Sequence, residues 1–152
     1  MDLKDEVNLW PRLNIEYLEP EQIEHEIFIR NIPVARNACG IYTPSTLRLA
    51  QRDIVSSPYD PLSVGTLRID SDEERLRQQN EFKRCKAGIG ALEQSAFDTD
   101  TILHRALHFL FRLERLHLLP VDLLEKKPGL RKRAKDLIHQ CCSPARTTGN
   151  RT

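Results

Sequence analysis

Two apolar stripes at helical spacing, separated by a short acidic hinge, constrain this chain more than any other feature. In the first, Phe82, Cys85, Ile89, Leu92 and Ala96 step by three and four residues, the period at which side chains return to one face of an α-helix. The second, Thr101 to Leu119, carries Leu103, Ala106, Leu107, Leu110, Leu113, Leu116 and Leu119. Ser71-Asp72-Glu73-Glu74 matches a capping box, in which the serine accepts from the third N–H and Glu74 returns a bond to the cap. Asp98-Thr99-Asp100 is a short polar link, so the two helices are predicted to lie antiparallel as a hairpin over 71–119. Gly88 and Gly90 fall inside the first helix and each costs about 1 kcal/mol against alanine. Packing must compensate.

The rest of the chain reads as helix too, which predicts an all-α protein. The best strand candidate, Val64 to Ile69, is short and sits among prolines. Asp2 to Trp10 is predicted as a brief helix stopped by Pro11. A second helix starts at Pro20, whose missing N–H costs nothing at a first helical position, and runs to Arg30. Ile23 and Ile27 share its apolar face, which Phe28 and Ile29 widen. Asn37 to Gly40 is a predicted loop, and Thr43-Pro44 opens a third helix toward Val55 with Leu47, Ala50 and Ile54 on one side. Pro58, Pro61 and Gly65 mark residues 57–70 as a connector. Past Pro120, Leu123 and Leu124 continue a turn that Lys126-Lys127-Pro128-Gly129 interrupts, before a final amphipathic helix with Leu130, Ala134, Leu137, Ile138 and Cys141 inward. Residues 143–152 hold too few apolar side chains to repay ordering and are read as a disordered tail. The expected organisation is therefore a helix pair over 14–56, the connector, the hairpin, a basic amphipathic segment over 120–142, and the tail.

Charge is balanced overall but not along the chain. The 152 residues carry 23 Lys and Arg against 22 Asp and Glu, so no net field drives the protein toward nucleic acid or membrane. Acids dominate Met1 to Arg30, with Glu16, Glu19, Glu21, Glu24 and Glu26 among them, while bases dominate from Lys126 onward, where Asp136 stands alone. No stretch approaches 18 uninterrupted apolar residues, which excludes a membrane-spanning helix. Cys39, Cys85, Cys141 and Cys142 show no repeated spacing and the N-terminus lacks a signal-peptide core, so an intracellular, reducing setting is expected.

Chemistry-bearing patterns are few. His104 and His108 are four apart and point the same way, but Arg105 occupies the position where a zincin needs glutamate, and no third ligand is evident, so no metal or cofactor is expected. No phosphate-cradling glycine loop or nucleophile elbow exists, and the expectation is a protein that is not an enzyme. The block from Lys126 to Lys135 is different: Lys126, Lys127, Arg131, Lys132, Arg133 and Lys135 place six cations in ten residues. An RNA or DNA contact, a nuclear-import signal and a solvated helix face weigh equally for it. Without nearby aromatic residues it supports non-specific phosphate binding at most.

The run Leu18-Glu19-Pro20-Glu21-Gln22-Ile23-Glu24-His25-Glu26-Ile27-Phe28-Ile29-Arg30-Asn31-Ile32-Pro33 resembles the opening of Gag-like proteins of insect LTR retrotransposons, where an acid-rich helix and a second helix form a SAP-like pair. Ile23, Glu26, Ile27, Ile29, Arg30 and Ile32 carry the likeness. Glu81-Phe82 through Leu92, followed by Leu103 to Leu113, is similar to the helical hairpin of the same family, and the resemblance extends over about Asn14 to Leu118. It implies a non-enzymatic assembly or interaction module. Its partners would be further copies of itself or other proteins, met through apolar helix faces on which Ile23, Ile27, Leu47, Leu107 and Leu110 are the expected contacts. The basic segment would add weak nucleic-acid affinity. The alternative is an adaptor that acts mainly through the basic helix. The acids at 19, 21, 24 and 26 repel phosphate, which favours protein over DNA as the ligand of the first helix pair.

Overall fold

The structure, a computed structural model, describes residues 3–56 and 71–142. Six α-helices and one short 3-10 turn appear among them, and no strand, so the all-α expectation holds. The chain divides into two compact units, Met1–Gly65 and Thr66–Thr152. The predicted connector over 57–70, the strand candidate within it and the predicted tail lie outside the described residues.

Unit 1 begins with α1, Leu3–Val7, shorter than the predicted Asp2 to Trp10. Its end tightens into i→i+3 bonds, Leu9 N–H to Glu6 C=O at 2.9 Å and Trp10 N–H to Val7 C=O at 3.2 Å, the usual way a last turn closes. The 3-10 turn follows at Ile15–Tyr17, then α2 at Pro20–Ile29 and α3 at Pro44–Ser56. Pro20 occupies the first turn of α2. The Gln22 Oε1 accepts from the Glu19 N–H at 2.9 Å, which satisfies one of the donors that precede a helix. At the start of α3 the Thr43 hydroxyl accepts from the Thr46 N–H at 3.2 Å. The intervening loop is set by Asn37, whose Oδ1 accepts from the N–H groups of Cys39 and Ile41, and Gly40 sits at φ 76°, a left-handed conformation that glycine adopts without strain.

A short turn lies at the centre of the predicted helix pair. The main contacts of α2 and of α3 are with the Ile15–Tyr17 turn. Gln51 of α3 clamps that segment, donating from Nε2 to the Leu13 C=O at 2.7 Å and accepting from the Ile15 N–H at 2.8 Å. Leu13, Ile15, Leu18, Ile23, Ile27, Ile32, Ala50 and Ile54 are buried. Phe28, expected to widen the buried stripe, is instead 77% exposed. The reason is angular: one residue on from Ile27, it stands about 100° away around the helix.

In unit 2, α4 spans Asp72–Glu93, α5 Thr99–Glu114 and α6 Val121–Cys142. Each packs on the other two, so the predicted hairpin is completed as a three-helix arrangement. Residue pairs run in opposite directions along α4 and α5, Glu81 meeting Arg112 and Gln78 meeting His117, which makes them antiparallel. The Ser71 Oγ accepts from the Glu74 N–H at 3.1 Å. The Glu74 carboxylate turns forward to Arg77 and Gln78 rather than back to the cap. Phe82, Cys85, Ile89 and Leu92 are buried as the stripe predicts, whereas Ala96, past the end of α4, is exposed. A Cβ built at Gly88 would overlap the Phe109 ring. The glycine that weakens α4 as a lone helix is thus the place where an α5 aromatic seats against it, a gain in buried area that offsets the propensity cost.

Two boundaries differ from expectation. The polar link is 94–98, with Thr99 and Asp100 already in the first turn of α5, where the Thr101 hydroxyl bonds the Asp98 carboxylate. That helix stops at Glu114 instead of Leu119; Leu116 and Leu119 are still buried, held in a non-helical segment. The last helix, by contrast, is continuous through Pro128, so Lys126 to Gly129 does not interrupt it. Proline inside a helix costs about 3 kcal/mol because it removes an N–H and crowds the carbonyl four residues back. Pro128 is exposed, so the Leu124 carbonyl it orphans can turn to water. Burial of Leu130, Ala134, Leu137 and Ile138 on the opposite side outweighs the loss.

Candidate interaction surfaces

The apolar positions expected to meet a partner are mostly interior. Ile23, Ile27, Leu107 and Leu110 are 9%, 5%, 0% and 0% exposed, so their surface is already spent inside the chain; Leu47 is half-buried. Periodicity identifies the buried face of a helix, and a face that completes its own core is not free for a second protein.

The basic segment is likewise engaged within the molecule. Arg131 Nε donates to Glu114 Oε2 at 2.9 Å, which ties α6 to the end of α5. The Arg133 guanidinium grips Glu93 through Nε at 3.1 Å and Nη2 at 2.5 Å, which ties α6 to the end of α4. These bonds hold the Glu93 carboxyl below its ordinary range and raise Arg133. Lys132 pairs with Asp136 at 3.0 Å on the exposed side. Lys127 is half-buried and its Nζ donates to the Leu116 C=O at 3.0 Å; burial holds that amine below the usual lysine range. Lys135 is half-buried. Lys126 is exposed and lines a groove between α4 and α6 with Arg133. The structure brings these two together with Lys86 of α4, 40 residues from Lys126 along the chain and outside the basic block.

The interior of unit 2 holds a polar network that no motif in the sequence announces. The Gln78 side chain is fully buried. Its Oε1 accepts from the N–H groups of His117 and Leu118 at 2.8 and 2.7 Å, and its Nε2 donates to Glu74 at 2.8 Å. One amide thereby satisfies two donors of the segment that follows α5. Deeper in, Arg112 forks onto Glu81, Nε to Oε2 at 2.6 Å and Nη2 to Oε1 at 2.9 Å. The Arg112 Nη1 lies 3.3 Å from His108 Nε2, and guanidinium can only donate, so that imidazole nitrogen accepts. Both histidines of the i,i+4 pair are buried, and His108 faces a cation rather than a metal-binding carboxylate. Among the described residues no group of three or more His, Cys, Asp and Glu side chains is placed to hold a metal ion.

Burial holds the His104 imidazole below its ordinary 6.5, against a smaller upward pull from Asp100. The unfolded chain therefore takes up a proton more readily than the folded one. The stability that His104 confers is complete above about pH 6.5 and is lost as pH falls through that value toward the folded pKa. Urea midpoints at pH 7.5 and 5.5 should differ in that sense, and His104→Phe should narrow the difference.

Cys85 is buried, and desolvation pushes its thiol up to about 12, which suits a packing residue and not a nucleophile. Cys39 is exposed, and Cys141 and Cys142 are half-exposed.

Unit 1 presents a groove of about 750 Å³ between α2 and the segment that follows it. Ile27, Phe28, Ile32 and Val34 provide its apolar lining, with Glu21 and Glu24 on the helix side and Tyr42 opposite. Arg36 fastens the far wall, pairing with Glu24 at 2.8 Å and lying 5.0 Å over the Tyr42 ring. On the buried side of α2, Arg30 at its C-cap pairs with Glu26 one turn earlier, the two side chains 2% and 0% exposed.

No protein-family model, curated protein or solved structure matches this chain. No helix among the described residues is long and apolar enough to cross a membrane.

Proposed function

We propose that the chain is a non-enzymatic helical interaction module of the Gag-like kind its sequence resembles, and that unit 1 joins it to a second copy of itself. The observation that carries this reading is Phe28, a phenylalanine 77% exposed on a regular helix beside an apolar groove. A large aromatic side chain in water gains roughly 1.5–3 kcal/mol on full burial, and a groove beside it in one copy offers a place for the same residue of another. Such reciprocal contact is what a two-fold dimer requires.

The basic segment contributes little to this function. A phosphate approaching Arg131, Lys132 or Arg133 has to displace a carboxylate already within 3.1 Å, and the exchange of one anion for another yields small net affinity. This favours a protein partner over the nucleic-acid adaptor.

Sedimentation equilibrium over a rising concentration series tests the proposal. The parent chain is expected to show a mass that increases toward the dimer, and Phe28→Glu to stay monomeric with unchanged helix content. A parent chain monomeric throughout, or a variant that associates equally well, contradicts it.

A further inference from the structure

The groove between α4 and α6 holds cations that the chain leaves unpaired. Lys86 projects from α4 and Lys126 from α6, and both line one groove of about 360 Å³ with Phe82, Gly129, Leu130 and Arg133. Each lysine is exposed, and neither has an ion-pair or hydrogen-bond partner among the described residues. Arg133 reaches the same groove with its guanidinium already held by Glu93. The floor is apolar: Phe82 and Leu130 are 2% and 4% exposed, and a Cβ added at Gly129 would meet no atom within 4 Å, so that part of the wall is open.

The pattern of charge along the groove selects among anions. Asp122, Glu125 and Asp136 are exposed on the same helix as Lys126, and Glu125 lines the groove itself. With Glu125 in the groove, its positive part is confined to the two lysines, so a ligand with one or two anionic groups set apart by apolar residues avoids that acid better than an unbroken run of phosphates does. Lysine ammonium is a point charge on a flexible stem, so each can follow a side-chain carboxylate while an adjoining aliphatic residue rests on the floor.

We propose that this groove binds an acidic segment of a partner protein, its carboxylates on Lys86 and Lys126 and an adjoining aliphatic side chain over Phe82 and Leu130. The inference rests on the reading of the chain as a protein-interaction module, but it uses unit 2 only, so it stands or falls apart from Phe28.

The test is a titration of the ¹⁵N-labelled full chain with the capped peptide Gly-Glu-Leu-Asp-Glu-Leu-Gly. Saturable amide shifts are expected at Lys86, Lys126 and Gly129, with those of Phe28 and Ile32 unmoved even where unit 1 associates. The Lys86→Glu/Lys126→Glu variant should bind at least about tenfold more weakly and recover affinity for the charge-reversed peptide Gly-Lys-Leu-Arg-Lys-Leu-Gly. Lys132→Gln, outside the groove, should stay within about twofold of the parent. Preserved amide dispersion in each variant shows that it is folded. The inference is overturned by absence of binding, by shifts elsewhere, or by unchanged affinity of the doubly reversed variant. It is also overturned if a mixed-sequence single-stranded RNA of about 20 nucleotides displaces the peptide at lower concentration.

Discussion

Replacing Glu81 with leucine is expected to destabilise unit 2 by about 3–5 kcal/mol, the cost of breaking a buried ion pair by removing one partner. The carboxylate receives two guanidinium nitrogens of Arg112, at 2.6 and 2.9 Å, and the two side chains are 12% and 2% exposed. Without it, a positive charge stays in the interior beside His108, where water cannot compensate for it. Replacing both partners, Glu81→Leu with Arg112→Met, should restore most of the loss, because an apolar pair of similar volume carries no desolvation penalty. Urea unfolding of the parent, the two single variants and the double variant forms the complete cycle. If Glu81→Leu alone unfolds at the parent midpoint, the pair does not hold unit 2 together.

The second large effect is expected at Gln78. Gln78→Leu keeps the volume and the helix propensity but removes the acceptor of the His117 and Leu118 N–H groups; an unbonded donor costs about 1–3 kcal/mol when fully buried, and less here, where Leu118 is half-buried and His117 exposed. A total loss of roughly 1–3 kcal/mol should appear in urea unfolding, with amide exchange fastest across 115–120, where α5 hands over to α6. Gln78→Glu retains an acceptor for both N–H groups but faces the Glu74 carboxylate where an amide donor was, so it should fall between parent and leucine variant. A leucine variant as stable as the parent would show that water or another acceptor takes over these donors.

Gln78 also shows how far the sequence can be read. The hairpin is legible because Phe82, Cys85, Ile89 and Leu92 recur at alternating steps of three and four residues and all four are buried. Gln78 is the next position back in that same progression. It lies in Gln78-Gln79-Asn80, a run whose composition reads as solvent-facing, so composition hid what spacing would have exposed. The ends of α5 and α6 were harder for opposite reasons. The leucines at 116 and 119 continue the helical period past Glu114 although their backbone does not, because side-chain spacing reports burial and not backbone hydrogen bonding. At Pro128 a local rule argued for a break, and tertiary packing overrode it.

The surfaces were less legible than the fold. Arg131 with Glu114 and Arg133 with Glu93 are separated by 17 and 40 residues, and nothing in a single sequence pairs them. As a result, a block that reads as six cations offers far fewer to a ligand. The same holds in reverse for unit 1, where Phe28 reads as one more apolar residue of α2 and only the direction of the helix reveals that it faces outward.

The interaction reading depends on Phe28 and its groove being covered when chains meet, and hydrogen–deuterium exchange at low and high protein concentration tests this most directly. Backbone amides of 27–34 are expected to slow as concentration rises, while those of 107–110, already in the core, do not change. Uniform exchange at every concentration, or slowing confined to α6, would contradict the account.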